Sequence, residues 1–123
     1  MFSVHGLVIR MKVFPYEDVE ATESGVGASK LKVRWLITKD IGAPNFAMRL
    51  FEMESGGHSP FHAHDWEHEV FILEGEGVIV SEAGEKNFKP GHVVFVPPNE
   101  KHQFKNTGKR LLKFICIVPI HEK

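Results

Sequence analysis

Three of the eight histidines in this 123-residue chain lie between positions 62 and 68, in the stretch HAHDWEHEVFILEGEG. His62 and His64 are two residues apart, so on an extended chain their side chains leave the same face, about 6–7 Å apart. Imidazole nitrogens bind divalent transition metals at about 2.0–2.1 Å, and one ion can join two rings with this spacing. The pair therefore predicts a metal site.

Two further histidines are candidates for the same site. A short break at 65–67 separates His64 from His68, and if the break is a turn, His68 begins the next strand and faces the same pocket. His102, in the stretch VPPNEKHQFKN, also lies where a turn enters a strand. Three local ligands and one remote ligand would make a site that only the folded chain assembles.

These residues resemble two sequence motifs of the cupin superfamily. The first motif is G-x5-H-x-H-x(3 or 4)-E-x6-G, and its positions are matched by Gly56, His62, His64 and Gly75. The second motif is G-x5-P-x-G-x2-H-x3-N, and its positions are matched by Gly91, Pro97, His102 and Asn106. Asn99 replaces the central glycine of the second motif, and asparagine tolerates the left-handed turn conformation. The resemblance implies a double-stranded β-helix, or jelly-roll barrel, with a metal near its mouth and one cupin domain over residues 1–123.

The spacing leaves two candidates for the fourth ligand, where the motif has glutamate. Counting back from Gly75 reaches His68, whereas counting on from His64 reaches Glu69. Adjacent strand residues face opposite sides, so the two assignments exclude each other. The intact spacing to the glycine turn favours His68, and the chain then resembles the four-histidine subset of small cupins. Glu67, in the turn, is a candidate to orient a ligand by hydrogen bonding.

A set of four imidazoles would set the chemistry of the ion. Neutral ligands leave a divalent ion with its full positive charge, which favours binding of anions. Nitrogen donors favour copper, nickel, cobalt, iron or zinc over manganese, whereas the resemblance implies manganese or iron. We expect one divalent transition metal per chain, with manganese, iron or copper ahead of nickel, cobalt or zinc. Octahedral packing would leave two adjacent positions for oxygen or a chelating substrate.

Strand parity gives the candidates for the wall of the pocket. In LLKFICIVP the charged Lys113 marks the outward parity, so Cys116 faces inward, either as a pocket thiol or as a small buried apolar residue. Met48 and Phe104 are candidates for the apolar wall. Arg49 has the parity opposite to Met48 and is therefore predicted outside the pocket. No residue stands out as a general base, so the catalytic residues are unknown.

Short strands must position all of these residues. Runs rich in Val, Ile and Phe alternate with glycine, proline and asparagine turns, and no segment keeps a helical period, which predicts an all-β sandwich or barrel. The predicted strands cover 7–13, 31–38, 46–53, 69–73, 77–81, 93–96, 103–105 and 111–118. The first thirty residues include the polar stretch YEDVEATESG and are predicted to form a loop, an edge strand or an arm.

Composition and charge exclude several classes of partner. The net charge is −1 with mixed signs, which is unlike a nucleic-acid surface. The N-terminal stretch MFSVHGLVIRMKVF is too short, and with Arg10 and Lys12 too charged, for a signal peptide or a membrane span. The single cysteine fits a reducing compartment. We expect a cytoplasmic protein without nucleic-acid or membrane partners.

The expected function is a metal-dependent oxidoreductase of dioxygenase type that acts on a small organic molecule, anionic or chelating. One alternative is a non-redox metal-dependent isomerase or lyase. Another is a non-catalytic module that binds a small ligand or a metal. The resemblance also implies a homodimer, and Trp66 is predicted either to contact the partner or to pack over the barrel mouth.

Overall fold

The computed structural model describes residues 3–4 and 7–120, with side chains from residue 9 onward. Nearly all of the regular structure there is β-strand, which confirms the predicted all-β fold. The described helical segments are the single 3-10 turns Tyr16–Asp18 and Lys39–Ile41. None of the described helices has the length and apolar character needed to cross a membrane. That one domain spans 1–123 stays a prediction, and its outermost residues lie outside the described part.

The described strands form one curled antiparallel sheet and a small separate hairpin. The strands are β1 (Ser3–Val4), β2 (Leu7–Val8), β3 (Thr22–Glu23), β4 (Ser29–Ile37), β5 (Phe46–His58), β6 (His68–Glu74), β7 (Gly77–Ser81), β8 (Gly84–Phe88), β9 (Val93–Val96), β10 (His102–Asn106) and β11 (Leu112–Pro119). β1 pairs with β2, and the main sheet has the order β8-β7-β10-β5-β11-β6-β9. β4 pairs with β5 and carries β3 on its other side.

The strand predictions differ from the structure mainly at the polar and N-terminal strands. Each predicted run contains a strand, but the run at 7–13 keeps only Leu7–Val8. β8 was not predicted, because four of its five residues are exposed and GEKNF has no apolar alternation. The polar stretch from 16 to 25 forms a 3-10 turn and the edge strand β3, in line with the predicted loop or edge strand.

Alternating residues of β11 and β5 supply much of the buried core. Along β11, Leu112, Phe114, Cys116 and Val118 are buried, and the residues between them are only half-buried. The ring of Phe114 stacks on Phe51 of β5 at 5.2 Å and on Phe104 of β10 at 4.8 Å, measured between ring centroids. Phe104, a predicted pocket residue, therefore packs in this aromatic core, with its ring centroid 6.4 Å from that of His102.

Two motif residues shape the turns that join the strands. Gly75 follows β6 with a φ of +83°, and a Cβ there would lie only 2.5 Å from the carbonyl oxygen of Leu111. Only glycine fits this position without displacing the backbone. Asn106 is buried at the end of β10, where its amide donates to the carbonyl oxygens of Met53 and Arg110 at 2.9 Å. Asn106 thus ties the turn after β10 to β5.

Candidate metal centre

Two loops that are hydrogen-bonded to each other carry three of the candidate ligands. The backbone N–H of His62 donates to the carbonyl oxygen of His102 at 3.1 Å, and the N–H of His102 returns a bond to His62 at 2.9 Å. The N–H of Asn99 donates to the carbonyl oxygen of His64 at 2.7 Å. Asn99 has a φ of +69°, the left-handed conformation expected where the motif has glycine. The backbone alone therefore brings the two motifs together.

The three loop histidines form a compact cluster. Among the described residues, His62, His64 and His102 each offer a ligand nitrogen, and these nitrogens all lie within 4.8 Å of one another. Two nitrogens bound to one ion at about 2.1 Å lie at most about 4.2 Å apart, so small ring movements complete a metal site. His62 is exposed and His102 is buried. The cluster therefore opens to solvent on the side of His62 and fits a metal centre.

Backbone carbonyls set the tautomers of two of these rings. Nδ1 of His64 lies 3.0 Å from the carbonyl oxygen of Trp66, and Nδ1 of His102 lies 2.8 Å from that of Glu100. A carbonyl oxygen only accepts, so each Nδ1 carries the proton and each Nε2 of the neutral ring keeps its lone pair. Both rings thus present the nitrogen that a metal requires.

The ring of Trp66 packs over the site. Its plane is nearly parallel to that of His64, with 6° between the planes and 4.3 Å between the centroids. Trp66 also lines a cavity of about 610 Å³ together with Trp35, Ala47 and Val118. The stacked ring of Trp66 gives the site an aromatic wall on the side of His64.

Partial burial and mutual repulsion lower the pKa of two of these rings, His62 and His64. The pKa of His62 is lowered mainly by burial and then by the neighbouring rings of His102 and His64. Burial also lowers the pKa of His64, against the effect of its bond to the carbonyl of Trp66. A neutral imidazole is the form that binds a metal, so both shifts extend metal binding towards lower pH.

His68 lies beside the cluster, at the start of β6. Its side chain is buried, and its Nε2 is 2.8 Å from Nε2 of His64. On the other side of the ring, Nδ1 lies 3.2 Å from Cys116 Sγ and 3.3 Å from an Nη of Arg49. Burial, followed by the charge of Arg49 and the other histidines, lowers the pKa of His68 to about 2. His68 therefore stays neutral in the folded protein at any ordinary pH.

Glu69, the alternative fourth ligand, faces away from the cluster. It is exposed and pairs across the sheet with Ile117 on one side and Phe95 on the other. With Met48 it lines a separate groove of about 590 Å³. Of the two candidates, His68 is the one placed next to the loop histidines.

Glu67 turns towards Glu69 instead of towards a ligand. The pKa of Glu67 is raised, first by a hydrogen bond to the side chain of Glu69 and then by burial and the charge of Glu69. Glu67 lines the same groove as Glu69. Its expected hydrogen bond to a ligand histidine is not present among the described residues.

The exclusion of Arg49 from the interior is wrong. Arg49 pairs with Cys116 of β11 and with Trp35 of β4 and shares their inward face. Met48, expected in the pocket wall, pairs with Ile117 and faces outward. Arg49 and Met48 have opposite parity, as expected, but Arg49 faces inward and Met48 faces outward. β5 has apolar residues on both faces, so its pattern does not identify the inward one.

Aromatic rings and two side-chain acceptors hold the guanidinium of Arg49. The guanidinium carbon lies 5.2 Å from the ring centroid of Trp35 and 4.8 Å from that of Phe51. Such cation–π contacts offset part of the cost of burying the charge. An Nη donates to Cys116 Sγ at 3.0 Å, whereas the buried Nε has no hydrogen-bond partner within the described part of the chain. Cys116 faces inward, as its parity predicts, and burial raises the pKa of its thiol.

Comparisons with known proteins agree with this geometry. Residues 49–118 match the family model of the Cupin domain. The oxalate-binding protein of Thermotoga maritima is 29% identical over 117 residues, which cover 92% of this chain and 93% of the relative. The 1-methylthio-D-xylulose 5-phosphate methylsulfurylase of Rhodospirillum rubrum is 34% identical over 71 residues, 58% of this chain and 46% of that protein.

The fold is also similar to solved structures. The polyketide cyclase RemF of Streptomyces resistomycificus superposes with a TM-score of 0.85 at 31% identity, covering 91% of this chain and 81% of RemF. The fold thus recurs in a protein whose name differs in activity from those of the two sequence relatives.

Proposed function

The chain belongs to the cupin family, and on this basis we propose that it binds one divalent transition metal and uses it to act on a small anion. The proposed ligands are His62, His64 and His102, with His68 as the fourth. One observation carries the proposal: three ligand nitrogens lie within 4.8 Å of one another. The carbonyl bonds of His64 and His102 support it, because they leave both Nε2 lone pairs free.

The charge of the site favours an anionic or chelating substrate. Neutral imidazoles do not cancel the charge of a bound ion, so carboxylates, enolates and phosphates are attracted to it. Arg49, which lies behind His68, adds to the positive potential of the same interior. The names of two relatives support this class of ligand, since one is called oxalate-binding and the other acts on a sugar phosphate.

For the reaction, we propose oxidation of dioxygenase type first. An all-nitrogen ligand set favours redox-active iron or copper, and manganese is a further candidate. When bound, such an ion would supply the site for oxygen and for the substrate's own oxygens. Among the described residues, no carboxylate hydrogen-bonds to the rings of the three clustered histidines, so the site offers no ready general base.

The second candidate is a non-redox metal-dependent isomerase, lyase or cyclase. The names of similar proteins favour it, because they include a polyketide cyclase and a methylsulfurylase. In this reaction the bound ion would stabilise an enolate of the substrate. The third class, a binding module without turnover, is favoured by the oxalate-binding relative.

We also propose a cytoplasmic homodimer. The outward faces of β6 and β9 expose large apolar side chains, namely Phe71, Leu73, Val93 and Phe95. A second copy that covered this face would remove apolar area from water. The single free and buried cysteine is in keeping with a reducing compartment.

The first experiment measures metal content and oxygen uptake together. Protein is purified without an affinity tag or added metal, alongside His102→Gln and the control His92→Gln, whose ring lies in the turn before β9. We expect about one equivalent of manganese, iron or copper per chain in the wild type and the control. In His102→Gln we expect metal affinity to fall by more than about 100-fold. The reason is that loss of even a hydrogen-bond partner outside the coordination sphere lowers metal affinity by about 10–100-fold.

Oxygen uptake then separates the reaction classes. Uptake with a panel of small hydroxy acids and enols supports oxidation. Zinc content, with turnover but no uptake, supports the non-redox class. A wild-type protein that binds none of these ions, even when they are added, would overturn the proposed function.

A further inference from the structure

The proton positions in the histidine cluster follow from a chain of hydrogen bonds. The Nδ1 proton of His64 is donated to the carbonyl of Trp66, so Nε2 of His64 has only a lone pair. Nε2 of His68 lies 2.8 Å from that lone pair. Two lone pairs would repel at this distance, so Nε2 of His68 must carry the proton between them.

Arg49 explains why the proton of His68 is on Nε2. A neutral imidazole has one proton, and a guanidinium can only donate. Since Arg49 points an N–H at Nδ1 of His68 over 3.3 Å, Nδ1 must be the acceptor. The thiol of Cys116, 3.2 Å from the same nitrogen, can donate or accept and therefore fits either tautomer. Arg49 alone selects between the two at this nitrogen.

We propose that Arg49 is a positioning residue that holds the proton of His68 on Nε2 in the metal-free protein and so weakens the binding of a metal by His68. His68 then hydrogen-bonds to His64 in the metal-free protein. His68 becomes the fourth ligand only when its proton moves to Nδ1, where Cys116 Sγ accepts the hydrogen bond. The number of protons on His68 stays the same in both forms. This inference rests on the proposed metal function.

Arg49 and Cys116 therefore act on metal binding in opposite directions. A proton on Nδ1 would face the N–H of Arg49 over 3.3 Å, which disfavours the ligand form of His68. The sulfur, by contrast, lies within reach of both groups, 3.0 Å from Arg49 and 3.2 Å from Nδ1, and can accept from both. A purely structural role would shift metal affinity the same way on loss of either residue.

The first test uses metal-free protein and needs no metal. Two-bond proton–nitrogen NMR of uniformly nitrogen-15-labelled protein distinguishes a protonated ring nitrogen from a bare one. We expect the His68 proton on Nε2 in the wild type and in Arg49→Lys, because an ammonium also only donates. In Arg49→Met we expect a partial shift towards Nδ1, because the hydrogen bond to Nε2 of His64 still favours the proton on Nε2. The control is Arg34→Met, which removes an arginine bonded to Glu52 and Val19 instead of a histidine.

The second test titrates the same variants with Co²⁺ and follows its visible absorption. We expect Arg49→Met to bind about tenfold more tightly and Cys116→Val about tenfold more weakly, the range of partners outside the coordination sphere. Cys116→Ser restores an acceptor and should stay within about twofold of the wild type. The band of Co²⁺ should show one nitrogen ligand more in Arg49→Met than in Cys116→Val.

The outcomes separate this inference from the metal proposal. Three results would each overturn the role of Arg49, whatever the metal content. They are a proton on Nδ1 of His68 in the wild type, an unchanged tautomer in Arg49→Met, and weaker metal binding in both Arg49→Met and Cys116→Val. If Arg49→Met does not fold, the wild-type tautomer and the metal affinities of Cys116→Val and Cys116→Ser still test the proposal. If Co²⁺ does not bind at all, the metal function fails while the tautomer result stands.

Discussion

The two sides of the histidine cluster are held by different parts of the chain. On the loop side, His64 and His102 are oriented by backbone carbonyls, and His62 is joined to His102 by a backbone bridge. On the wall side, His68 is oriented by the side chains of Arg49 and Cys116, which come from β5 and β11. The loop side reaches solvent at His62, whereas the wall side is buried.

This difference shows that the partner of Nδ1 decides what a clustered histidine can do. A backbone carbonyl leaves Nε2 free to bind a metal and is present whatever the side chain of its residue. A side-chain donor such as Arg49 imposes the opposite tautomer and can be removed by one substitution. The loop side is therefore robust to mutation, and the wall side is where the properties of the site can be adjusted.

The largest expected difference between the two sides is in stability at low pH. The pKa of His68 is about 2 in the folded protein, against an ordinary value of about 6.5. At a pH between these values, His68 binds a proton in the unfolded chain but not in the folded protein. Stability should fall as the pH drops through 6.5, by about 2–3 kcal/mol at pH 4.5. Urea unfolding of metal-free protein, measured above pH 6.5 and at pH 4.5, gives this loss of stability.

Two variants assign the loss to the wall side. His68→Gln should remove most of the difference between the two pH values, because no buried imidazole is left to protonate on unfolding. His62→Gln, on the exposed loop side, should leave most of it. An equal reduction in both variants would contradict the distinction between wall and loop.

A smaller effect is expected for the two neighbouring residues that compete for the fourth ligand position. His68→Gln should weaken Mn²⁺ or Co²⁺ binding by about tenfold, since the ion loses a nitrogen donor. Glu69→Gln should change the affinity by less than about twofold, because its carboxylate lies on the outer face. Isothermal titration of both variants measures the difference. The reverse order would establish Glu69 as the ligand.

The smallest effect is expected on the loop side, from the aromatic ring that stacks on His64. Trp66→Leu keeps the backbone carbonyl that fixes the tautomer but removes a stack at 4.3 Å. An aromatic pair contributes about 0.5–1.5 kcal/mol, so we expect metal affinity to fall by about threefold. Phe46→Leu is the control, because Phe46 is exposed and lines the outer groove away from the histidines. A loss above tenfold in Trp66→Leu would show that the tautomer bond depends on the stack.

The loop side was predictable from sequence and the wall side was not. Two motifs with fixed spacing place His62, His64 and His102, and the left-handed turn at Asn99 agrees with the glycine that it replaces. The resemblance to the two cupin motifs brings these residues to one site, although they are distant in the chain. The all-β class follows from apolar runs and turn residues, which depend on local conformation.

The wall side depends on how distant strands pair. Arg49 meets Cys116 only through the register between β5 and β11. Leu50 and Phe51 are both buried, so alternation along β5 does not tell which face is inside. Arg49 is predicted outside the pocket because its parity is opposite to that of Met48, yet two aromatic rings and a sulfur contact it on the inner face. No single-sequence signal carries this information.

The backbone bridge between His62 and His102 has a consequence for how such sites are inherited. Each of the two histidines uses its own peptide group to hold the other, and the rings follow from that pairing. A one-residue insertion in either loop would slip the register and turn one ring away from its neighbours. The two loops therefore depend on each other, and we expect that they can be transferred between related barrels only together.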